Sequence, residues 1–216
     1  MLYVRNGKRF LDIVVSAIGL VVLSPFLIIV AAVVRLASPG PAFFRQVRVG
    51  QFGKPFRMLK FRSMVGKPQG RGDLLTAAGD PRITRIGRWL RSTKVDELPQ
   101  LINVFLGDMS LIGPRPEVPM YVALYDERQK TILNARPGVS GISANVREEE
   151  LMAGREDKEA FYISTIMPAK LEFDISYCQN ISLRTDLRIL FTTLNTVMAR
   201  VLELHMPVPR PEKETP

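Results

Sequence analysis

Residues 13–34 form a run of 22 positions without a charge. As one straight helix this run would be about 33 Å long, enough to cross the ~30 Å hydrocarbon core of a bilayer. Ser24-Pro25 falls near its midpoint. Pro25 lacks an N–H and its ring presses on the carbonyl of Val21, so the helix is expected to break or kink there. The Ser24 hydroxyl can reach back to the carbonyl of Leu20 or Val21. Two arms of roughly 12 and 10 residues would then dip to mid-membrane and return. The flanks favour this re-entrant form. Arg5, Lys8 and Arg9 precede the run, and Arg35, Arg45, Arg48, Lys54 and Arg57 follow it. Basic residues prefer the cytoplasmic side, so a crossing would strand one basic flank on the wrong face. A spanning helix is the alternative, because proline is tolerated there too. A signal peptide fits less well, since no small-residue cleavage site precedes a mature domain.

Beyond the turn at Ser38-Pro39-Gly40-Pro41, the pattern changes. Residues 42–49 and 54–64 read as short strands around Gly50-Gln51-Phe52-Gly53, and residues 66–79 as a mobile loop. Residues 84–92 predict a helix with Ile86, Trp89 and Leu90 on its apolar side. A second helix is predicted over 96–106, with Pro99 in its first turn, and a third over 119–133. Residues 156–177 are helical with an interruption at Pro168. Over 184–204, Leu187, Leu190, Phe191, Leu194, Val197, Met198 and Val201 mark the cleanest amphipathic helix. Core packing is the default for that stripe, and the membrane interface is the alternative. Residues 206–216 are rich in proline and charge and are expected to be disordered. The reading is mainly α with a few short strands: an anchor over 1–37, a compact catalytic domain over 38–205 with interfacial amphipathic helices, and a tail over 206–216.

Charge sharpens this picture. Residues 1–100 hold 17 Lys/Arg against 5 Asp/Glu, and residues 101–216 hold 13 against 16. The basic half also carries the apolar run, which suits anionic head groups or a phosphorylated substrate. Nucleic acid is disfavoured as a partner, because no aromatic-interleaved basic motif or zinc-finger spacing is present. The single Cys178 excludes an internal disulfide. The single His205 makes a histidine-dependent triad implausible. Acid–base and nucleophilic work therefore falls to carboxylates, lysine or tyrosine.

The richest chemistry lies in residues 91–116, where Asp96 and Glu97 stand between Arg91 and Arg115. Adjacent helical side chains do not face each other, so the two carboxylates can divide labour. One attacks or takes a proton while the other holds a cation. Guanidinium binds phosphate oxygens in a fork. Lys60 and Arg62 add cations from the preceding segment. Together they suit a pyrophosphate-bearing donor, and either carboxylate suits Mg²⁺, which takes one or two carboxylates plus substrate phosphates.

These motifs resemble the bacterial sugar transferase family, the small monotopic phosphoglycosyl transferases. The matching parts are Lys60-Phe61-Arg62-Ser63-Met64, residues 80–91, Asp96-Glu97-Leu98-Pro99-Gln100, Gly107-Asp108-Met109-Ser110, Gly113-Pro114-Arg115-Pro116 and Arg136-Pro137-Gly138. Asp174, Tyr177, Ser182 and Asp186 look like the family's C-terminal pattern, and the anchor with its Ser-Pro also matches. The likeness covers roughly residues 5–200. It implies transfer of a phosphosugar from a UDP-sugar to undecaprenyl phosphate with release of UMP, at the cytoplasmic face of the bacterial inner membrane, as the first membrane step of a glycoconjugate pathway. It further implies Asp96 as nucleophile through a covalent phosphosugar–aspartate, Glu97 on Mg²⁺, Arg115 and Arg91 on phosphate, and a re-entrant anchor.

One stretch departs from the family pattern. Many members follow Arg-Pro-Gly with Thr-Gly-Trp-Ala-Gln-Val-Asn, whereas Val139-Ser140-Gly141-Ile142-Ser143-Ala144-Asn145 lacks that Trp and Gln. An acidic run, Glu148-Glu149-Glu150, follows. The nucleotide and sugar contacts of this region are left open, as are the sugar, the glycan and the oligomeric state, a homodimer included. With no transmembrane domain ahead of the anchor, the chain resembles the minimal form. The competing reading is a non-enzymatic membrane-surface adaptor, for which Asp96 and Glu97 would be dispensable. A nearer alternative is an enzyme using another phosphorylated lipid acceptor.

Overall fold

The computed structural model describes residues 3–66, 75–143, 146 and 148–205. Residues 67–74 of the expected loop, Ala144 and Asn145, and the expected disordered tail 206–216 lie outside the described residues.

The apolar run becomes α1 (Lys8–Ala37), and the expected break is absent: the helix continues through Pro25. Ser24 Oγ donates to the Val21 carbonyl at 2.8 Å, taking the place the missing Pro25 N–H would fill. One stripe of α1 faces the rest of the protein. Asp12, Ser16, Val30 and Val34 are buried, spaced by 4, 14 and 4 residues. At 100° per residue these positions share one face. Val21, Val22, Ile28, Ile29 and Leu36 lie exposed on other faces.

Both ends of α1 are fastened to one body. Asp12 Oδ1 accepts from Ser110 Oγ at 3.1 Å and from the Leu111 N–H at 2.9 Å. Arg9 donates to the carbonyls of Val104 and Phe105. Lys8 and Tyr3 both reach the carboxylate of Asp186. At the far end Val30 and Val34 pack with Phe61 and Leu90.

Among the described residues the strands form two small sheets. β1 (Phe43–Val49) and β2 (Pro55–Phe61) make the expected antiparallel hairpin, with Phe43 opposite Phe61 and Val49 opposite Pro55. α2 (Arg85–Ser92) starts where the sequence places it, because the Thr84 hydroxyl accepts the Gly87 N–H at 2.9 Å. Trp89 of its expected apolar side is exposed, whereas Leu90 is buried. The helix expected over 96–106 is divided into a 3₁₀ turn at Val95–Glu97 and α3 (Gln100–Leu106). Pro99 caps α3, which is where a residue without an N–H costs least. The buried Asn103 stitches α3 to β2: its Oδ1 accepts the Leu59 N–H and its Nδ2 donates to the Arg57 carbonyl.

β3 (Ser110–Ile112) and β4 (Gly138–Ser140) pair in parallel. Their close approach needs glycine, since a Cβ on Gly138 would lie 2.1 Å from the Gly113 nitrogen.

The third expected helix is broken. α4 (Pro119–Val122) is one turn, and a 3₁₀ segment follows at Gln129–Asn134. Asp126 and Gln129 exchange side-chain and backbone hydrogen bonds at 2.7 and 3.0 Å, a reciprocal cap that starts a new element. α5 (Glu148–Leu151) and α6 (Lys158–Phe161) are single turns. The Pro168 interruption appears as a π turn at Tyr162–Ile166 leading into α7 (Met167–Gln179). The largest core cluster joins Tyr121, Tyr125, Ile132, Tyr162, Leu171 and Ile175.

α8 (Leu183–His205) corrects the default reading of its apolar stripe. Leu187, Leu190, Phe191, Leu194 and Met198 are exposed, while Asp186 and Ile189 are buried. Ile189 packs with Ile112 and Tyr177, so the helix faces the core with a different phase.

Candidate active site

Four segments converge on the carboxylate pair. β2 delivers Lys60. The end of α2 delivers Arg91. The loop after β3 delivers Arg115. The tight turn between α2 and the 3₁₀ helix delivers Lys94, whose backbone is left-handed at φ 60°. Asp96 and Glu97 are 4% and 8% exposed, so burial dominates their electrostatics.

The two carboxylates have different partners. Glu97 Oε1 accepts from Lys60 Nζ at 2.8 Å and from Arg115 Nη2 at 3.1 Å. Burial alone would push Glu97 up, but Lys60, Arg115 and Lys94 outweigh it and hold its carboxyl well below the usual range. Glu97 in turn raises Arg115 above its ordinary value. Asp96 Oδ1 is buried and has no hydrogen-bond partner among the described residues. Burial pushes the Asp96 carboxyl up and Glu97 adds to that, against the pull of Lys60, Arg91 and Lys94. One carboxylate is therefore a fixed, paired anion. The other has an oxygen with nothing to hold, ringed by cations. A pair whose environments pull its members apart is the usual basis for two roles.

Other candidate residues are placed as follows. Arg91 pairs with Glu149 and approaches Ser63 Oγ at 3.5 Å. Arg62 is engaged elsewhere. It donates to the carbonyls of Val34, Ser38 and Pro39 and to Ser38 Oγ, which closes the C-terminal end of α1. Ser24 and Pro25 lie mid-helix in α1, away from the carboxylates in sequence and held by the Val21 contact.

Behind Arg115 lies a buried polar network. The Arg115 N–H donates to Asp174 Oδ2 at 3.3 Å. Burial pushes the Asp174 carboxyl up to about 6. Lys170, also buried, reaches Glu148 at 2.7 Å and Tyr162 Oη at 3.1 Å. Tyr162 Oη donates to Glu117, which also takes Arg48 at 3.1 Å. Tyr177 and Asp186 of the C-terminal pattern meet at 2.8 Å, and the Ser182 hydroxyl accepts the Thr185 N–H at the start of α8. Tyr177, Asp186 and Ser182 thus hold α7, α8 and the N-terminal end together.

Sequence reasoning missed Lys94 and Lys170. Lys94 stands two residues before Asp96, but its left-handed turn leaves no mark in the residue pattern. Lys170 carried a usable signal: it is a lone cation in the otherwise apolar start of α7.

A family model described as bacterial sugar transferase matches residues 3–200. The UDP-glucose:undecaprenyl-phosphate glucose-1-phosphate transferase of Caulobacter vibrioides is 41% identical over 194 residues, which is 88% of this chain and 69% of the relative. The UDP-N-acetylgalactosamine-undecaprenyl-phosphate N-acetylgalactosaminephosphotransferase of Aeromonas hydrophila is 38% identical over 88% of this chain, but the match spans only 43% of that relative. The exopolysaccharide production protein PSS of Rhizobium leguminosarum is 40% identical over 89% of this chain and 96% of its own length.

Proposed function

The chain belongs to the bacterial sugar transferase family, and from that premise we propose that it transfers a sugar 1-phosphate from a UDP-sugar to undecaprenyl phosphate and releases UMP. The observation that carries the reading is the buried, unpartnered Asp96 Oδ1 beside Lys60, Arg91 and Lys94, with Arg115 on the neighbouring Glu97.

The proposed steps balance as follows. An Asp96 oxygen attacks the phosphorus that bears the sugar. The bond from that phosphorus to the bridging oxygen breaks, and its electron pair leaves with UMP. An aspartyl phosphosugar remains. A phosphate oxygen of the polyprenyl acceptor then attacks the same phosphorus and the bond to Asp96 breaks, which restores the carboxylate. Carboxylates serve as nucleophiles of this kind. Phosphoryl transfer otherwise rests on positioning and charge neutralisation, which suits a site this rich in cations.

Mg²⁺ fits the donors present. No cluster of three or more acidic, His or Cys ligands exists among the described residues. Mg²⁺ takes one or two carboxylates plus substrate phosphates, so here it would rest on Glu97 and the donor. Glu97, through the oxygen not held by Lys60 and Arg115, would hold it, and when bound it would neutralise charge on the donor diphosphate.

The proposed membrane placement rests on α1. Its Asp12 end and its Val34 end pack on the same body, so a crossing would have to tear one of them away. This supports an anchor that enters and leaves on one side, with the exposed apolar faces of α1 and α8 toward lipid; the basic flanks assign that side to the cytoplasm. Labelling of Tyr3→Cys and Ser38→Cys in a Cys178→Ser background is expected from one side only. Opposite-side labelling would refute it. The activity is tested by UMP release across a panel of UDP-sugars with undecaprenyl phosphate and Mg²⁺. Asp96→Asn should abolish turnover and the aspartyl phosphosugar seen by intact mass; normal turnover by that variant would remove Asp96 from the role.

A further inference from the structure

The cations around Asp96 are not equally free to meet a substrate. Lys60 and Arg115 are committed to Glu97, Arg91 to Glu149, and Arg62 to the end of α1. Lys94 differs from all of them: its ammonium makes no salt bridge or hydrogen bond among the described residues. Its backbone is also unusual, with φ 60° and ψ 12°. Only Lys94 and Phe52 among the described non-glycine residues have positive φ. Glycine or asparagine takes this conformation at little cost, whereas a side chain such as lysine is strained in it.

The turn does not need that side chain. It is closed by backbone alone, with the Lys94 N–H on the Arg91 carbonyl at 3.2 Å and the Glu97 N–H on the Lys94 carbonyl at 3.1 Å. A residue kept in a strained conformation, with a charged tip that acts on both carboxylates through space but is held by neither, is a mark of a functional position. Lys94 lies two residues before Asp96, whose Oδ1 has no partner among the described residues.

We infer that Lys94 receives the non-bridging oxygens of the donor diphosphate, as the site's uncommitted cation. The inference rests on the proposed transferase activity and adds a donor-binding residue to it. Lysine suits the task because its ammonium is a mobile point charge that can follow phosphate as the bond to UMP lengthens.

Two measurements on Lys94→Gly separate this role from a turn residue only. The first is thermal melting of the full chain in detergent. Relief of the left-handed strain should raise the Tm by roughly 2–4 °C. The second is titration of a UDP-sugar that wild type turns over, with Asp96→Asn as the non-reacting background. Adding Lys94→Gly should weaken donor binding about 10-fold or more, as for one lost charged hydrogen bond. Lys94→Arg should restore part of it. Unchanged donor binding in Lys94→Gly, or a lower Tm, would overturn the inference while leaving the activity standing. Failure of wild type to release UMP from any UDP-sugar would overturn the activity and the inference with it.

Discussion

Asp174 offers a test that depends on pH alone. Its carboxyl is 3% exposed and is raised from 3.8 to about 6, chiefly by burial. A raised acid contributes its stability in full below the unfolded value and loses it as pH climbs through the folded one. At pH 7.5 the native state must ionise Asp174 against a shift of about 2 units, which costs about 3 kcal/mol. At pH 5 the group is mostly protonated in the fold, and the cost falls to about 1.5 kcal/mol by the same linkage. Asp174→Asn removes the titration and keeps an oxygen for the Arg115 N–H. Its amide nitrogen falls near the Ser143 hydroxyl, and whatever that contact contributes does not change with pH. The variant-minus-wild-type difference should therefore grow by about 1.5 kcal/mol from pH 5 to pH 7.5. In Tm that is roughly 3–6 °C for a chain of this size. Paired urea or thermal melts at the two pH values in one detergent measure it. A difference that stays constant, or shrinks as pH rises, would refute the account of a buried and strained carboxylate behind Arg115.

Three further outcomes follow from the geometry. Lys60→Met removes one of the two cations on Glu97, so the Glu97 carboxyl should rise and the acid limb of the kcat/KM profile should move to higher pH; an unmoved limb would show that Lys60 does not tune it. Gly138→Ala places a methyl group 2.1 Å from the Gly113 nitrogen and should destabilise the chain by about 3 kcal/mol or more, read by urea denaturation, whereas wild-type stability would mean that the β3–β4 pair opens easily. Asp12→Ala leaves the Leu111 N–H and the Ser110 hydroxyl without their acceptor, at a cost of about 2–4 kcal/mol, and should expose the N-terminal end of α1 to proteolysis at protease levels that spare wild type.

The hairpin, the start of α2 and the carboxylate pair were legible because each is written locally. Thr84 announces a helix start, Gly50 and Gly53 a turn, and Asp96-Glu97 a pair in a basic context. What was hidden depends on which neighbour a face meets. In α1 every face is apolar, so periodicity cannot say which one packs; Asp12 and Ser16 mark it only in hindsight. In α8 the apolar stripe is real, but the core-facing positions are Asp186 and Ile189, offset from it. Arg62 looked like its neighbours because charges in a sequence are indistinguishable until their partners are known. Lys94 was passed over because its place beside both carboxylates depends on a left-handed turn that the residue pattern does not mark.

Asp12 also constrains how the molecule is made. Its acceptor oxygen waits for donors 98 and 99 residues later in the chain. At about 5–20 residues per second the ribosome needs on the order of 5–20 s to supply them. For that interval the anchor is complete while its carboxylate is unpaired next to a long apolar run. An unpaired charge is costly in hydrocarbon, so this end of the nascent helix is held at the water boundary until Ser110 and Leu111 emerge. Seating of this end of the anchor is thus completed late in biogenesis: a chain cut short before residue 110 could still pack Val30 and Val34 on Phe61 and Leu90 but would leave Asp12 without its donors.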